Sequence, residues 1–471
     1  MRPARIALGW IGVLALVACA SPPAWELPPP PPNDSPVVPA DRLTRETLDN
    51  GLHVLLLEDH RLPRMSLSLT TRRGAASEEL ARAGLASFTA SLMERGAGDL
   101  DALALAEKVD ALGASLSVSA EWDSMDVGVS GLSRDLDSLM EILADVALHP
   151  RFAPEEAKKT RNETLAQLER ARDDPATLVR WNTATALFPT HRYGLPVSGN
   201  AETVARLDAA AARAFHARVF VPNDMIFAAA GDFDAADLEA RAQRVFGALP
   251  AQEPPPPGEA PPAQTPPART IRIVDRPDLV QARIILAHEG IARTDPERIP
   301  AAIMNSVLGG SGFSSRLMDR VRADAGLTYG VGSGFSLRRE PSLFSISTFT
   351  RVPEVRTVID LLLAEMERMR VDPPTEVELT DARTLAAGGF ALSLETSDAV
   401  VSGLVGLDIY DLPEDSLDTY RTRVRAVSAA DAARQAKRLL HPDRVAIILV
   451  GPAEALRPQV EDLGSVEVVK P

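Results

Sequence analysis

One stretch of the sequence decides the fold that this chain is expected to adopt: Gly84-Leu85-Ala86-Ser87-Phe88-Thr89-Ala90-Ser91-Leu92-Met93-Glu94-Arg95-Gly96. In a helix, residues three and four positions apart share one face, so Ser87, Ala90 and Ser91 are expected to lie side by side. A serine hydroxyl is a poor metal ligand beside imidazole or carboxylate, and an alanine side chain cannot take a proton. This face of the helix therefore predicts neither a metal site nor a catalytic base.

The stretch resembles the zinc-site helix of the pitrilysin/insulinase (inverzincin) metallopeptidases. Active members of that family carry H-x-x-E-H there, followed about 76 residues later by a glutamate. The resemblance places Ser87 and Ser91 at the two histidine positions, Ala90 at the catalytic glutamate and Gln167 at the third ligand. It covers nearly the whole chain after the predicted signal peptide, and it implies a LuxS/metallohydrolase-like fold whose two halves form a clam shell around a peptide. A peptidase fold that is inactive alone is expected, with no cofactor in this chain and zinc in a partner subunit.

Other chemical groups near these positions do not replace the missing ones. Glu94, Glu163 and Glu169 are interpreted as solvated helix charges, because no histidine joins them. Ser87 and Ser91 are not expected to be nucleophiles, since no G-x-S-x-G elbow surrounds them. They are interpreted as small polar residues that pack the helix against a sheet.

A second motif lies later in the chain, in Leu308-Gly309-Gly310-Ser311-Gly312-Phe313-Ser314-Ser315-Arg316-Leu317 and the segment that follows it. Arg322 and Tyr329, seven residues apart, resemble the Arg/Tyr pair that reaches the substrate in active members. An arginine can fork onto a carbonyl or a developing oxyanion, and a tyrosine hydroxyl adds a second donor. The alternative interpretation is a surface ion pair and a tyrosine at the edge of the core. A phosphate-binding loop is not expected, because Phe313 stands where a Lys-Ser/Thr pair would be needed.

Three glycines of this motif are predicted to form a flexible loop before a helix: Gly309, Gly310 and Gly312. The resemblance implies a loop that handles peptides, as in the non-catalytic, alpha-like subunit of the mitochondrial processing peptidase. Together with Arg322 and Tyr329, these glycines are the predicted substrate-binding residues.

The chain looks like two divergent copies of one unit. Each copy contains a predicted Ala-rich helix (205–219; 429–440), a turn with Pro-Asn-Asp or Pro-Asp-Arg, a buried-type strand (225–230; 445–450) and a glycine turn. Further strands are predicted over 53–58, 64–71, 270–274 and 282–288, and helices over 101–112, 132–147, 154–172 and 355–370. Strands and helices alternate without regular βαβ spacing, which favours an α+β fold with a mixed or antiparallel sheet in each half. His191, in a segment the family shares, is interpreted as a residue that shapes a turn.

The composition supports a two-domain globular chain and argues against nucleic-acid binding. The 471 residues carry 50 Lys+Arg against 65 Asp+Glu, a net charge of −15, whereas nucleic-acid binders normally present a basic face. Of the 38 prolines, nine fall in residues 20–40 and eight in 251–268. The predicted organisation is a signal peptide (1–18), a proline-rich tether (19–40), an N-terminal half with the degenerate zinc site (41–250), a proline-rich linker (251–268) and a C-terminal half (269–471).

The N-terminus is typical of a bacterial lipoprotein signal. Arg2 and Arg5 precede an apolar stretch over residues 6–18, which ends in Leu16-Val17-Ala18-Cys19, similar to a lipobox. Cys19, the only cysteine, is the predicted lipidation site, and the alternative is an ordinary secretory signal. No aspartate follows Cys19, so we expect an anchor in the outer membrane that faces the periplasm.

Two functions remain open from the sequence. In the first, the chain is the non-catalytic, substrate-binding subunit of a heterodimeric zinc metallopeptidase that acts on peptides or unfolded segments in the cell envelope. Its partner would carry H-x-x-E-H. In the second, it is a lipid-anchored peptide-binding or scaffolding pseudopeptidase without a catalytic partner. An active zinc enzyme would require zinc in the isolated chain.

Overall fold

The computed structural model of the protein describes residues 35–252 and 266–471. The predicted signal peptide, Cys19, most of the tether and most of the linker lie outside these ranges, and they stay predictions. Residues 36–471 form one compact unit. It contains two sheets, one in each half of the sequence.

The first half begins at Leu43 and ends at Phe246. Its strands are Leu43–Thr47 (β1), His53–Glu58 (β2), Arg64–Thr71 (β3), Gly96–Ala97 (β4), Leu100–Asp101 (β5), Ser115–Ala120 (β6), Met125–Leu132 (β7) and Met225–Gly231 (β8). Its helices are Leu85–Met93 (α1), Ala102–Ala111 (α2), Leu136–Leu148 (α3), Pro154–Ala171 (α4), Pro175–Leu187 (α5), Ala201–Val204 (α6), Ala209–Val219 (α7) and Ala235–Phe246 (α8).

The second half begins at Thr270 and ends at Val469. Its strands are Thr270–Asp275 (β9), Gln281–Glu289 (β10), Val331–Phe335 (β11), Leu343–Arg351 (β12), Ala446–Gly451 (β13) and Ser465–Val469 (β14). Its helices are Arg298–Asn305 (α9), Val355–Val371 (α10), Glu376–Ser393 (α11), Ser397–Ile409 (α12), Ser416–Ala426 (α13), Ala429–Leu439 (α14) and Ala453–Val460 (α15).

The two large sheets have the same strand order. The first runs β1-β2-β8-β3-β7-β6 and the second, read from its other edge, β14-β9-β13-β10-β12-β11. In each sheet the central strand is parallel to one neighbour and antiparallel to the other: β8 to β2 and β3, β13 to β9 and β10. The mixed α+β fold class and the two related halves predicted from the sequence are confirmed. Most predicted elements match the observed ones closely, including β2 and β3.

One helix of each half packs on the sheet of the other half. Helix α5 of the first half packs on β10 and β13, and α12 of the second half packs on β8 and β2. The contacts are apolar: Leu178 and Val179 meet Ile285 and Ile448, and Leu404 with its neighbours meets Ile226. This exchange covers both faces of the central strands, which explains why β8 and β13 have buried, continuously apolar sequences.

Within the described ranges, no single helix is both long and apolar enough to cross a membrane. Helices α11 and α12 reach the necessary length and apolar character only when they are taken together, and the chain bends by 110° between them.

Candidate functional site

Helix α1 carries three of the four positions that the resemblance assigns to a zinc site, and α4 carries the fourth. Its apolar face, with Leu85, Phe88 and Leu92, is buried in the core of the first half, where α1 packs against α7, α4 and β6. Ser87 and Ser91 are half-buried and Ala90 is buried. Gln167 lies exposed on α4, the helix packed beside α1. The predicted positions therefore fall on the two adjacent helices that a shared ligand set would need.

The N-terminus of α1 is held by a buried ion pair. The Glu78 carboxylate accepts hydrogen bonds from the backbone N–H groups of Gly84 (3.0 Å) and Ala86, and the Arg192 Nε donates to it at 2.6 Å. Both side chains are almost completely buried. Arg192 also donates to the backbone carbonyls of Leu195 and Val197. The loop that follows α5 therefore fixes where α1 begins.

The residues around α1 do not fit a zinc ion. Two hydroxyls, a methyl group and a carboxamide stand at the four positions, and none of them matches the imidazole, thiolate or carboxylate donors that zinc prefers. Across the described residues, no group of three or more His, Cys, Asp or Glu side chains is arranged to hold a metal. No catalytic step through a metal is therefore derived for this chain.

The nearby glutamates have structural partners. Glu94, at the end of α1, accepts a hydrogen bond from the backbone N–H of Val118 on the edge strand β6 at 2.8 Å. Burial raises the pKa of Glu94 above its ordinary value. Glu163 pairs with Arg95 at 2.8 Å. Glu163 agrees with its interpretation as a solvated helix charge, whereas Glu94 is partly desolvated and holds the edge strand β6.

The glycine-rich motif of the second half forms a compact turn where a flexible loop is predicted. Gly309 lies in a π-helical turn over 306–310 and is buried, and a Cβ there would come within 2.5 Å of the Ser333 Oγ. Gly310 packs against Asn305 in the same way. Gly312, with a φ of +62°, has open space around it and carries the chain into Phe313. Gly309 and Gly310 thus allow Ser333 and Asn305 to pack closely against the turn, whereas Gly312 has no neighbour at contact distance.

Arg322 is held between two exposed aromatic rings. Its guanidinium carbon lies 4.6 Å from the ring centre of Phe313 and 5.0 Å from that of Tyr329. Phe313 is 74% exposed and Tyr329 77% exposed. In the described parts of the chain the Arg322 side chain makes neither an ion pair nor a hydrogen bond. The structure thus brings Arg322 and Tyr329 together and adds Phe313, whose only predicted significance was that it argues against a phosphate-binding loop.

A partly buried ion pair lies behind this cluster and braces it. Arg316 binds the Glu378 carboxylate through Nε (2.6 Å) and Nη2 (2.9 Å), and it donates to the backbone carbonyls of Asp372 and Pro373. Hydrogen bonds from Arg316 lower the pKa of Glu378 to about 2. Because Glu378 also belongs to the capping box of α11, the bridge ties the glycine turn to the start of that helix.

Besides the apolar clusters, the junction between the halves has a polar and aromatic part around Arg338. Arg338, on the turn between β11 and β12, lies 4.0 Å from the ring centre of Trp122 and 4.4 Å from that of Tyr193. Burial lowers the pKa of Arg338 to about 10. His191 accepts a hydrogen bond from the backbone N–H of Tyr193 at 3.2 Å, which confirms its predicted role in shaping the turn.

One face of the first sheet is only partly covered beyond its contact with α12. Its three outer strands present only small or polar residues there: Ser66, Ser68, Thr70, Ser115, Ser117, Ser119, Asp126, Gly128 and Ser130. Asp126 is the one charged residue in this set. It accepts a hydrogen bond from Thr70 at 2.7 Å, and burial raises its pKa.

These features define a class: a two-half, α+β peptidase fold whose zinc-site helix lacks zinc-binding side chains. The family model for insulinase (peptidase family M16) matches residues 53–201, and the model for the peptidase M16 inactive domain matches 206–385. The chain belongs to the M16 (insulinase) family of peptidases.

Proteins similar to this chain cover nearly its whole folded length. It is 26% identical to an uncharacterized zinc protease of Streptomyces coelicolor over 87% of this chain and 89% of that protein, and 22% identical to one of Bacillus subtilis over 87% and 98%. The crystal structure of a peptidase M16 inactive domain from Pseudomonas fluorescens is similar with a TM-score of 0.81 and 27% identity, over 87% of this chain and 98% of that one. A protease from Helicobacter pylori, 17% identical with a TM-score of 0.78 over 87% and 99%, shares the fold.

Proposed function

We propose that this chain is the non-catalytic, substrate-binding subunit of a heterodimeric zinc metallopeptidase that acts on peptides or unfolded segments in the bacterial cell envelope. The proposal rests on a contrast between the two halves of the chain. The first half has no zinc-binding donors at Ser87, Ala90, Ser91 and Gln167. The second half keeps Arg322 and Tyr329 at the surface, with no hydrogen-bond partner for the Arg322 side chain in the described ranges.

The packing of the two halves supports a second chain. Helices α5 and α12 are each buried in the sheet of the opposite half, and two apolar clusters join the halves. A peptide chamber between the halves would require these clusters to separate. We therefore place the chamber between this chain and a partner of the same family that carries H-x-x-E-H and the zinc ion.

The chemistry that this chain would supply is hydrogen bonding to the substrate. The Arg322 guanidinium presents N–H donors in a planar fork, which suits the carbonyl oxygen of a peptide and the negative charge that develops on it. The Tyr329 hydroxyl can add a further donor beside it. Stacking between two rings orients the guanidinium without using its N–H groups, so the donors stay available for a ligand.

The envelope location rests on the N-terminal sequence. Cys19 in a lipobox-like context would receive the lipid, and the proline-rich tether would separate the folded unit from the outer membrane. Palmitate labelling of the full chain tests this part, with Cys19→Ala as the control. Label retained by the C19A variant would refute the anchor.

Reconstitution with the partner tests the function itself. The full chain is copurified from its native membrane, an H-x-x-E-H chain in the complex is identified, and peptide cleavage is measured for each chain alone and for the pair. We expect cleavage only by the pair, and at least a tenfold loss of kcat/KM with Arg322→Ala. Arg320→Ala, on an exposed neighbouring arginine, is the control. Full activity of the R322A pair would refute the role of Arg322, and a complex without any H-x-x-E-H chain would favour a scaffolding pseudopeptidase.

A further inference from the structure

Helix α11 presents an apolar face that nothing in the described structure covers. Val377, Leu385 and Leu392 are 71%, 52% and 73% exposed. Their spacings of eight and seven residues place them on one side of the helix. The opposite side, with Leu379, Ala382 and Phe390, packs on the second half. At about 1.5 Å per residue, the exposed stripe is about 22 Å long.

The first half contains a direct control for this face. Helix α4 has the same length as α11, and each is followed by a helix of 13 residues. The helices start at residues 154 and 376, so counterparts lie 222 positions apart. The buried positions agree: Ala157 and Thr160 of α4 correspond to Leu379 and Ala382 of α11.

The exposed positions of the two helices differ in chemistry. Where α11 has Val377, Leu385 and Leu392, α4 has Glu155, Glu163 and Arg170. Charged side chains are the ordinary choice for a solvated helix face. The second copy has therefore exchanged a solvated surface for an apolar one while the buried side of the helix is unchanged in position.

Two glycines on α11 give an independent indication of a partner. Gly388 and Gly389 lie inside the helix, where each costs about 1 kcal/mol relative to alanine. No atom of the described structure lies within 4 Å of a Cβ built at either position. The packing of the described residues therefore provides no reason for them. A close approach by the backbone of another molecule would, because glycine lets two helices come nearer to each other.

We propose that the exposed face of α11 is the surface on which the peptidase partner docks, through an amphipathic helix with a Lys or Arg opposite Asp381. This inference rests on the proposed function. For Arg322 and Tyr329 to act on a substrate held by the partner, that partner must approach the glycine turn. The bridge between Arg316 and Glu378 ties this turn to the start of α11, so the same partner meets both.

Asp381 distinguishes this occupant from a second copy of the chain. It lies in the middle of the stripe and is exposed, and within the described residues it makes no ion pair. If two copies of α11 packed antiparallel about residues 384–385, each Asp381 would face Gly388 of the other copy. Two unpaired carboxylates would then be buried, at a cost of several kcal/mol each. A partner that offers a cation avoids that cost.

The test compares variants of α11 with matched variants of α4. The dissociation constant for the H-x-x-E-H chain that restores cleavage is measured by titration calorimetry, using the full chain. We expect the double variant Leu385→Glu/Leu392→Glu to weaken binding at least tenfold, and Gly388→Leu to weaken it similarly. Neither should lower the melting temperature, since both sites are exposed. Arg170→Glu, at the position equivalent to Leu392, should leave the dissociation constant unchanged.

Each outcome separates the two proposals. If the wild-type pair forms and cleaves peptide while the α11 variants bind as tightly as wild type, this inference fails and the proposed function stands. If the variants keep partner affinity but lose affinity for a fluorescent peptide substrate, the face lines the chamber instead. A wild-type homodimer in sedimentation that the variants dissociate would assign the face to a second copy. If no H-x-x-E-H chain binds, both proposals fall.

Discussion

Replacing Glu378 with glutamine should destabilise the second half by about 2 kcal/mol at neutral pH. Hydrogen bonds from Arg316 lower the pKa of Glu378 from 4.5 to about 2. At about 1.36 kcal/mol per pH unit, this difference corresponds to about 3 kcal/mol. The Glu378 side chain is 25% exposed, and solvent screening reduces the expected effect to about 2 kcal/mol. Glutamine preserves the shape of the side chain and its place in the capping box, so the variant isolates the charge.

The pH dependence of this effect has a defined sign. The folded-state pKa of Glu378 is below the unfolded value, so the stabilisation is complete above the unfolded pKa of 4.5 and is lost as the pH falls toward about 2. Glutamine does not titrate in this range. The difference in unfolding free energy between wild type and E378Q should therefore shrink by roughly a third to a half between pH 7 and pH 3.5.

Urea unfolding of both proteins at pH 7, 5, 4 and 3.5, followed by circular dichroism, measures this difference. The control is Asp324→Asn, which breaks the exposed pair between Arg320 and Asp324 on the neighbouring turn (3.6 Å). Such a surface pair contributes less than about 0.5 kcal/mol at any pH. If E378Q costs no more than D324N, or if its effect is the same at every pH, the Arg316–Glu378 bridge does not brace the glycine turn as argued.

Three further predictions concern the rest of the fold. Gly231→Ala should cost more than about 2 kcal/mol in urea unfolding, because Gly231 has a φ of +129° and a Cβ there would lie 2.3 Å from the carbonyl oxygen of Arg64; an unchanged midpoint would contradict this packing. Leu404→Ala should cost about 2–5 kcal/mol by leaving a cavity where α12 packs on the first sheet, and a loss below about 1 kcal/mol would show that the halves are not joined there. The family's zinc-site residues can be restored with Ser87→His, Ala90→Glu, Ser91→His and Gln167→Glu. Because α1 and α4 are packed together, we expect metal analysis to find one zinc ion per chain in this variant. The unmodified chain should bind none.

Much of the secondary structure and the loss of the zinc site could be predicted because they depend on local sequence. The strands β2 and β3 end where their apolar patterns end, and Pro154 and Pro175 mark the starts of α4 and α5. The loss of the zinc site follows from the residue types at four positions, and the sequence gives these types directly. Helical spacing then shows that Ser87, Ala90 and Ser91 share a face.

The arrangement around Arg322 could be predicted only in part. The resemblance to the family's Arg/Tyr motif indicated that Arg322 and Tyr329 form a pair, but the third member, Phe313, lies nine residues before Arg322 and joins it through the turn of the chain. A phenylalanine directly after Gly312 was the signal in the sequence, whereas its exposure and the open space around Gly312 appear only in the folded structure. The flexible loop predicted from three glycines is a compact turn, because Gly309 packs against Ser333 of β11.

By itself, then, the sequence determined the two repeated halves, the α+β class, the family and the absence of zinc-binding side chains, since these follow from residue identity and local periodicity. Only the tertiary structure decided that α5 and α12 are exchanged between the halves, that Glu78 holds the start of α1 through Arg192, and that Glu378 braces the glycine turn through Arg316. It also decided that one side of α11 is left uncovered. The physical reason is that an apolar pattern specifies which face of a helix is buried but not what covers it. Contacts between residues 62 or 114 positions apart exist only once the chain has folded.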